Sequence, residues 1–181
     1  ASNADKHRMN LSGIGKAPPA KTAKKSNKGQ VGKTAIEDVM IALDKMKGNP
    51  TEGKKALAGL ACAACHNINP DDPVKGPDFN HIGSLLSKEQ IAEAIIKPAA
   101  TIADSWVTVT MNDGTPHMGT LISKNDTEVV VNNIAGISAK LNAADVKSIE
   151  KQTSSIMGPG LANELSLQQF VDMVSYLHSL K

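Results

Sequence analysis

The chain has two cysteines in 181 residues, and a histidine follows the second directly: Cys62, Cys65 and His66 in "CAACH". Three chemistries use clusters of this kind. A thioredoxin-like dithiol sits at a helix N-terminus, where the helix dipole favours thiolate, whereas the apolar pattern here predicts a helix that ends at the cysteines. A structural zinc site takes four ligands, and no second Cys or His pair stands at ligand spacing. Covalent haem attachment requires what is present. Two thiols add to the two vinyl groups of haem, and the adjoining imidazole falls under the iron.

The composition agrees with a large flat group arriving from outside. Two Phe, one Tyr and one Trp make an aromatic content of 2%, so a core of this size is otherwise left to aliphatics. Leu85, Leu86, Ile91, Ile95, Leu161 and Leu165 are candidates to line a bound porphyrin. Covalent haem is typical of proteins matured outside the cytoplasm, so a periplasmic or otherwise exported location is expected. No apolar run reaches membrane-spanning length. The "SNA" at 2–4 reads as a cloning scar where a targeting segment was removed.

The net charge of +2 is unevenly spread. Residues 1–33 hold eight basic side chains against Asp5 alone, and they lack aromatic residues and apolar periodicity. A solvated basic tail over 1–32 is expected rather than a nucleic-acid or lipid-binding element. A single domain is expected over 33–181.

Within that domain, Ile36, Val39, Met40, Leu43 and Met46 share one helical face, and Gly48 and Pro50 end it. A second helix, capped by Thr51, is expected to run through "EGKKALAGLACAAC". Ser87 with Gln90, and Ser166 with Gln169, have capping-box spacing and open a third and a last helix. The last helix is expected to pack on the second. Between them the period falls to two: Val107, Val109 and Met111 alternate with threonines, "NDG" makes a turn, and Met118, Thr120 and Ile122 continue. "TEVVVNN", "GISAKL" and "VKSIEK" supply three more strands. A small antiparallel sheet or barrel is therefore expected over about 104–150.

These features resemble a class I cytochrome c. Gly53 and Leu57 stand where that family's first helix meets its last, and "KGPDFNHIG" resembles its loop beside the proximal histidine. The match is closer to haem-binding cytochrome c domains at the C-termini of larger bacterial proteins. "GPDF", "IIKP", "IADSW", "TMNDGTPHMGTL", "MGPGL" and "VSYLHSL" follow here in the order of that group's motifs, although Gly158 lengthens the methionine loop by one residue. The resemblance implies a mainly α fold with the sheet inserted between the third helix and the loop of an axial methionine. It implies haem c held by Cys62 and Cys65, and iron bound by His66 and Met157. The Pro77 carbonyl would accept the His66 Nδ1 proton, and the Trp106 indole would reach a propionate.

Other candidate ligands carry less weight. Met111 and Met118 fall in the alternating strands, where packing roles are expected, and His7, His81, His117 and His178 lie in the tail, beside the proximal loop, at a hairpin and on the last helix. A six-coordinate haem without a nucleophile or general acid does no substrate chemistry. The expected function is single-electron transfer to or from a redox partner protein, a dehydrogenase or respiratory acceptor, and the chain is not expected to be an enzyme itself. The alternative is a haem sensor or peroxidase-like domain with a vacant distal side.

Overall fold

The structure is a computed structural model that describes residues 29–72 and 75–181. Six helices and five strands follow in the order α1 (Ile36–Lys45), α2 (Pro50–Ala58), α3 (Cys62–Cys65), α4 (Ile82–Leu85), α5 (Lys88–Ile96), β1 (Trp106–Met111), β2 (Pro116–Lys124), β3 (Glu128–Asn132), β4 (Ser138–Asn142), β5 (Val146–Lys151) and α6 (Leu167–Ser179). The expectation of a mainly α chain is overturned. Helix accounts for 36% and strand for 22% among the described residues. The helices are short and joined by irregular segments, so the sheet weighs more than a resemblance built on helical landmarks allowed.

The helical body forms around α6, whose Phe170, Val171, Met173, Val174 and Leu177 are buried against Val39 and Leu43 of α1, Leu57 of α2 and Ile91 of α5. Each such side chain stabilises the fold by about 1.5–3 kcal/mol through removal from water. Helices α2 and α6 cross closely because Gly53 lies directly against the Asp172 carbonyl and the Tyr176 side chain, and a Cβ there would overlap backbone. The buried Asp172 carboxylate ties the crossing down, accepting from the Asn49 backbone N–H and the Gln168 Nε2, each at 2.8 Å. Gly83 of α4 repeats the device against the His178 carbonyl, and its N–H donates to the Leu180 carbonyl.

Both capping boxes form, at Ser87 with Gln90 and at Ser166 with Gln169. The second helix differs from expectation at both ends. Asn49 rather than Thr51 caps it, its side chain accepting from the Thr51 and Glu52 N–H groups, with Pro50 at the first helical position where its missing N–H costs nothing. At the other end Gly59 closes α2, and the cysteines form their own one-turn helix. The expected tail over 1–32 lies outside the described residues up to residue 28. Residues 30–31 are tied to the helical body: Gln30 bridges Ser166, the Val31 N–H donates to the Leu165 carbonyl at 2.9 Å, and Val31 is buried.

The five strands form one antiparallel sheet in the order β4-β3-β2-β1-β5. One face closes on itself around Val107, Val109, Val129, Val131 and Leu141, with Met111 and Ile149 packed against them. On the opposite face Trp106, Thr120 and Asn132 lie in one row across β1, β2 and β3, and all three are buried. Met118 departs from its expected packing role. It points to that second face beyond the buried row and is 49% exposed.

Candidate haem site

The one turn of α3 sets Cys62 and Cys65 three residues apart, and its closing bond runs from the His66 N–H to the Cys62 carbonyl at 2.9 Å. Both thiols are free and half-buried, and Cys62 packs against the helical core. Because Cys62 opens this turn, the cysteines do not end a long helix as expected. Burial pushes the Cys62 thiol above its ordinary value, a backbone hydrogen bond pulls it down and Cys65 adds to the rise, a direction opposite to the shift that activates a catalytic thiolate.

His66 leaves the turn in extended conformation and its Nδ1 lies 2.7 Å from the Pro77 carbonyl oxygen. That carbonyl can only accept, so Nδ1 carries the proton and Nε2 keeps its lone pair. Burial lowers the imidazole's affinity for a second proton, with the Pro77 contact pulling the other way. Gly76 makes the approach possible: a Cβ there would stand 2.7 Å from the Cys65 carbonyl oxygen and 3.6 Å from His66 Nδ1.

Two participants were not singled out from the sequence. Phe79 stacks on the imidazole with ring centroids 4.1 Å apart and planes 12° from parallel, and Asp78 Oδ1 accepts from Asn67 Nδ2, Asn80 Nδ2 and the Asn80 N–H. The thin supply of aromatics marked every Phe as valuable, but nothing local told which would meet the histidine. Trp106 is buried at the start of β1, opposite Thr120. Met157 is half-buried on the loop after β5, its N–H donating to Ser155 Oγ at 3.1 Å. His81 precedes α4 and is exposed, His117 lies on β2, His178 on α6, and His7 lies outside the described residues.

The model of the cytochrome c family matches residues 50–138. The chain carries a cytochrome c domain. The matched span holds Cys62, Cys65, His66, Pro77 and Trp106 and ends before Met157. No curated protein matches the chain. A cytochrome c domain implies covalent haem c and electron transfer with a redox partner. No helix among the described residues is long and apolar enough to cross a membrane.

The residues present fit the haem that the cytochrome domain implies. Two half-buried thiols and an imidazole whose Nε2 keeps its lone pair form the donor set. Leu85, Ile156 and Leu161, on segments beside the proximal loop and Met157, are 73%, 52% and 41% exposed, which is apolar area for a macrocycle to cover. Ile91 and Leu165, also expected to line it, are already buried in the helical core. Asn67 Oδ1, next to His66, is buried without a hydrogen-bond partner among the described residues.

Proposed function

We propose that the protein is an exported, periplasmic one-electron carrier, with haem c held by Cys62 and Cys65 and its iron bound by His66 and Met157. Its partner would be a dehydrogenase or a respiratory acceptor. The further resemblance to C-terminal domains of larger bacterial proteins belongs to the same reading. The observation that carries it is the orientation of His66: the Nδ1–H is committed to Pro77 at 2.7 Å, which leaves Nε2 as the one basic ring atom beside the two thiols.

When bound, the haem supplies a reversible one-electron couple at its iron. The protein's own part is to anchor, orient and exclude. Cys62 and Cys65 would hold the haem, each through one S–C bond to a vinyl carbon with the thiol proton passing to the neighbouring carbon, so that no oxidant would be consumed. Phe79 and Pro77 fix the plane of His66, and the helical core behind Cys62 keeps water from one side of the site. Met157 would offer a soft, neutral thioether that favours ferrous iron. Gly160, at φ 85°, lets its loop turn, and Pro159 limits the swing of the sulfur.

Acid-organic extraction and carbon monoxide binding test the two halves of this reading. Haem should stay with the denatured chain, and complete extraction overturns the attachment. Met157→Ala should lower the reduction potential and admit carbon monoxide to a site that is closed in the parent protein. A parent that already binds carbon monoxide readily favours the sensor or peroxidase-like alternative, with Met157 only packed.

A further inference from the structure

We propose that Thr120, on the inserted sheet, is a positioning residue for His66, acting through the proximal loop. The inference rests on the reading of His66 as an iron ligand. The buried row Trp106, Thr120 and Asn132 lies on the face opposite the sheet's own core, so these side chains are covered by something other than their strands. One contact shows what they meet. Thr120 Oγ1 donates to the Lys75 carbonyl at 3.2 Å.

Lys75 begins a run of three residues that is held at each position from a different direction. The sheet holds Lys75 through Thr120. Gly76 is pressed on the Cys65 carbonyl of the haem-binding turn, where no side chain fits. Pro77, with φ fixed by its ring, receives the His66 Nδ1–H. A carbonyl that is free to rotate makes a poor fixed acceptor, and the direction of the Pro77 carbonyl follows from where Lys75 and Gly76 are placed. Trp106, directly opposite Thr120 and 9% exposed, keeps water from competing for the hydroxyl, which strengthens the bond in a medium of low dielectric.

The consequence is electronic. A well-aligned Nδ1–H···O=C bond raises the basicity of Nε2, and a more basic donor favours ferric over ferrous iron. Loosening the loop should therefore raise the reduction potential. Through Thr120, an event on the sheet, such as a partner binding there, is felt at the iron.

The test uses the haem-loaded full chain. Thr120→Val keeps the shape and removes the donor. It should raise the potential enough to change the ratio of reduced to oxidised protein, at a fixed ambient potential, by about two- to fivefold, the equivalent of up to one net hydrogen bond. It should also speed exchange of the His66 Nδ1 proton, followed by NMR in the reduced protein. Thr120→Ser restores the hydroxyl and should return both readouts to the parent values. Val109→Ala hollows the sheet's core but leaves Thr120 in place, and should leave the potential unmoved. An unchanged potential in Thr120→Val with haem still attached overturns the proposal. A potential that moves equally in Val109→Ala also overturns it, because His66 would then sense the sheet's stability and not the hydroxyl. Haem that extracts completely from the parent overturns the reading beneath it, a failure visible before any variant is compared.

Discussion

The helical body and the inserted sheet are held together by different means. In the body the contacts that set the geometry join distant parts of the chain through backbone: Gly53 on the Asp172 carbonyl, Gly83 on the His178 carbonyl, the Asn49 N–H on the Asp172 carboxylate. In the sheet the contacts are between neighbouring strands, and valines of alternating register bury one another. Close backbone approach tolerates no added carbon, whereas a valine cluster gives way gradually. The body should therefore fail abruptly and as a whole, and the sheet by degrees.

The largest effect should come from removing the two thiols that would anchor the haem. Replacing both Cys62 and Cys65 by Ala should abolish extraction-resistant haem and collapse amide-exchange protection in α2, α5 and α6, while protection in β1 to β3 survives on the sheet's own core. Equal loss in both regions would show that they fold as one unit.

A pair of substitutions sharpens the contrast at smaller scale. Gly53→Val drives a side chain into the Asp172 carbonyl and should cost about 3 kcal/mol, with partial loss of haem. Val109→Ala, at a fully buried position, should cost about 2 kcal/mol by leaving a cavity and should spare the haem spectrum. Urea unfolding followed separately by haem absorbance and by sheet circular dichroism reads the two.

The smallest effect belongs to the ion pair of Lys151 with Asp104, at 2.8 Å and on the surface. The hydrogen bond and charge of Lys151 hold the Asp104 carboxyl below its ordinary value. Any stabilisation is thus present above the unfolded carboxylate pKa and lost as pH falls through the lower folded one. Both groups face water, so Lys151→Ala should leave Tm at neutral pH unresolved from the parent, with the two proteins identical in acid. A clear drop at neutral pH would mean that the base of the sheet is less exposed than its geometry shows.

The same contrast governs what could be read from the sequence. The five strands followed from alternation, and the capping boxes at Ser87 and Ser166 from a spacing of three, because both are local rules. The break at Gly59 and the cap at Asn49 were missed, since "EGKKALAGLACAAC" keeps helical composition across the break and Pro50 reads equally as a stop or a first residue. In the site, Cys62, Cys65 and His66 form one short motif that is legible at once. Phe79 and Thr120 act across a fold, at 13 and 54 residues from His66, and no local pattern announces them. Met118 shows the limit of alternation: its register puts it on the outer face, and only the neighbouring body decides how far along that face burial extends.

Strand β5 returns to pair with β1, so Val107 lies opposite Lys151 and the Gln152 N–H donates to the Trp106 carbonyl at 2.9 Å. The chain leaves the sheet beside the point where it entered. For chain closure the whole excursion is a bridged gap two strands wide, and the Thr120 contact with Lys75 is where its contents reach the haem side. Loop entropy grows only with the logarithm of length, so the stem at Trp106 and Gln152 is a port at which the sheet could be lengthened or exchanged, in an evolving gene or by design, at little cost in chain entropy, provided that a hydroxyl is kept where Thr120 meets Lys75.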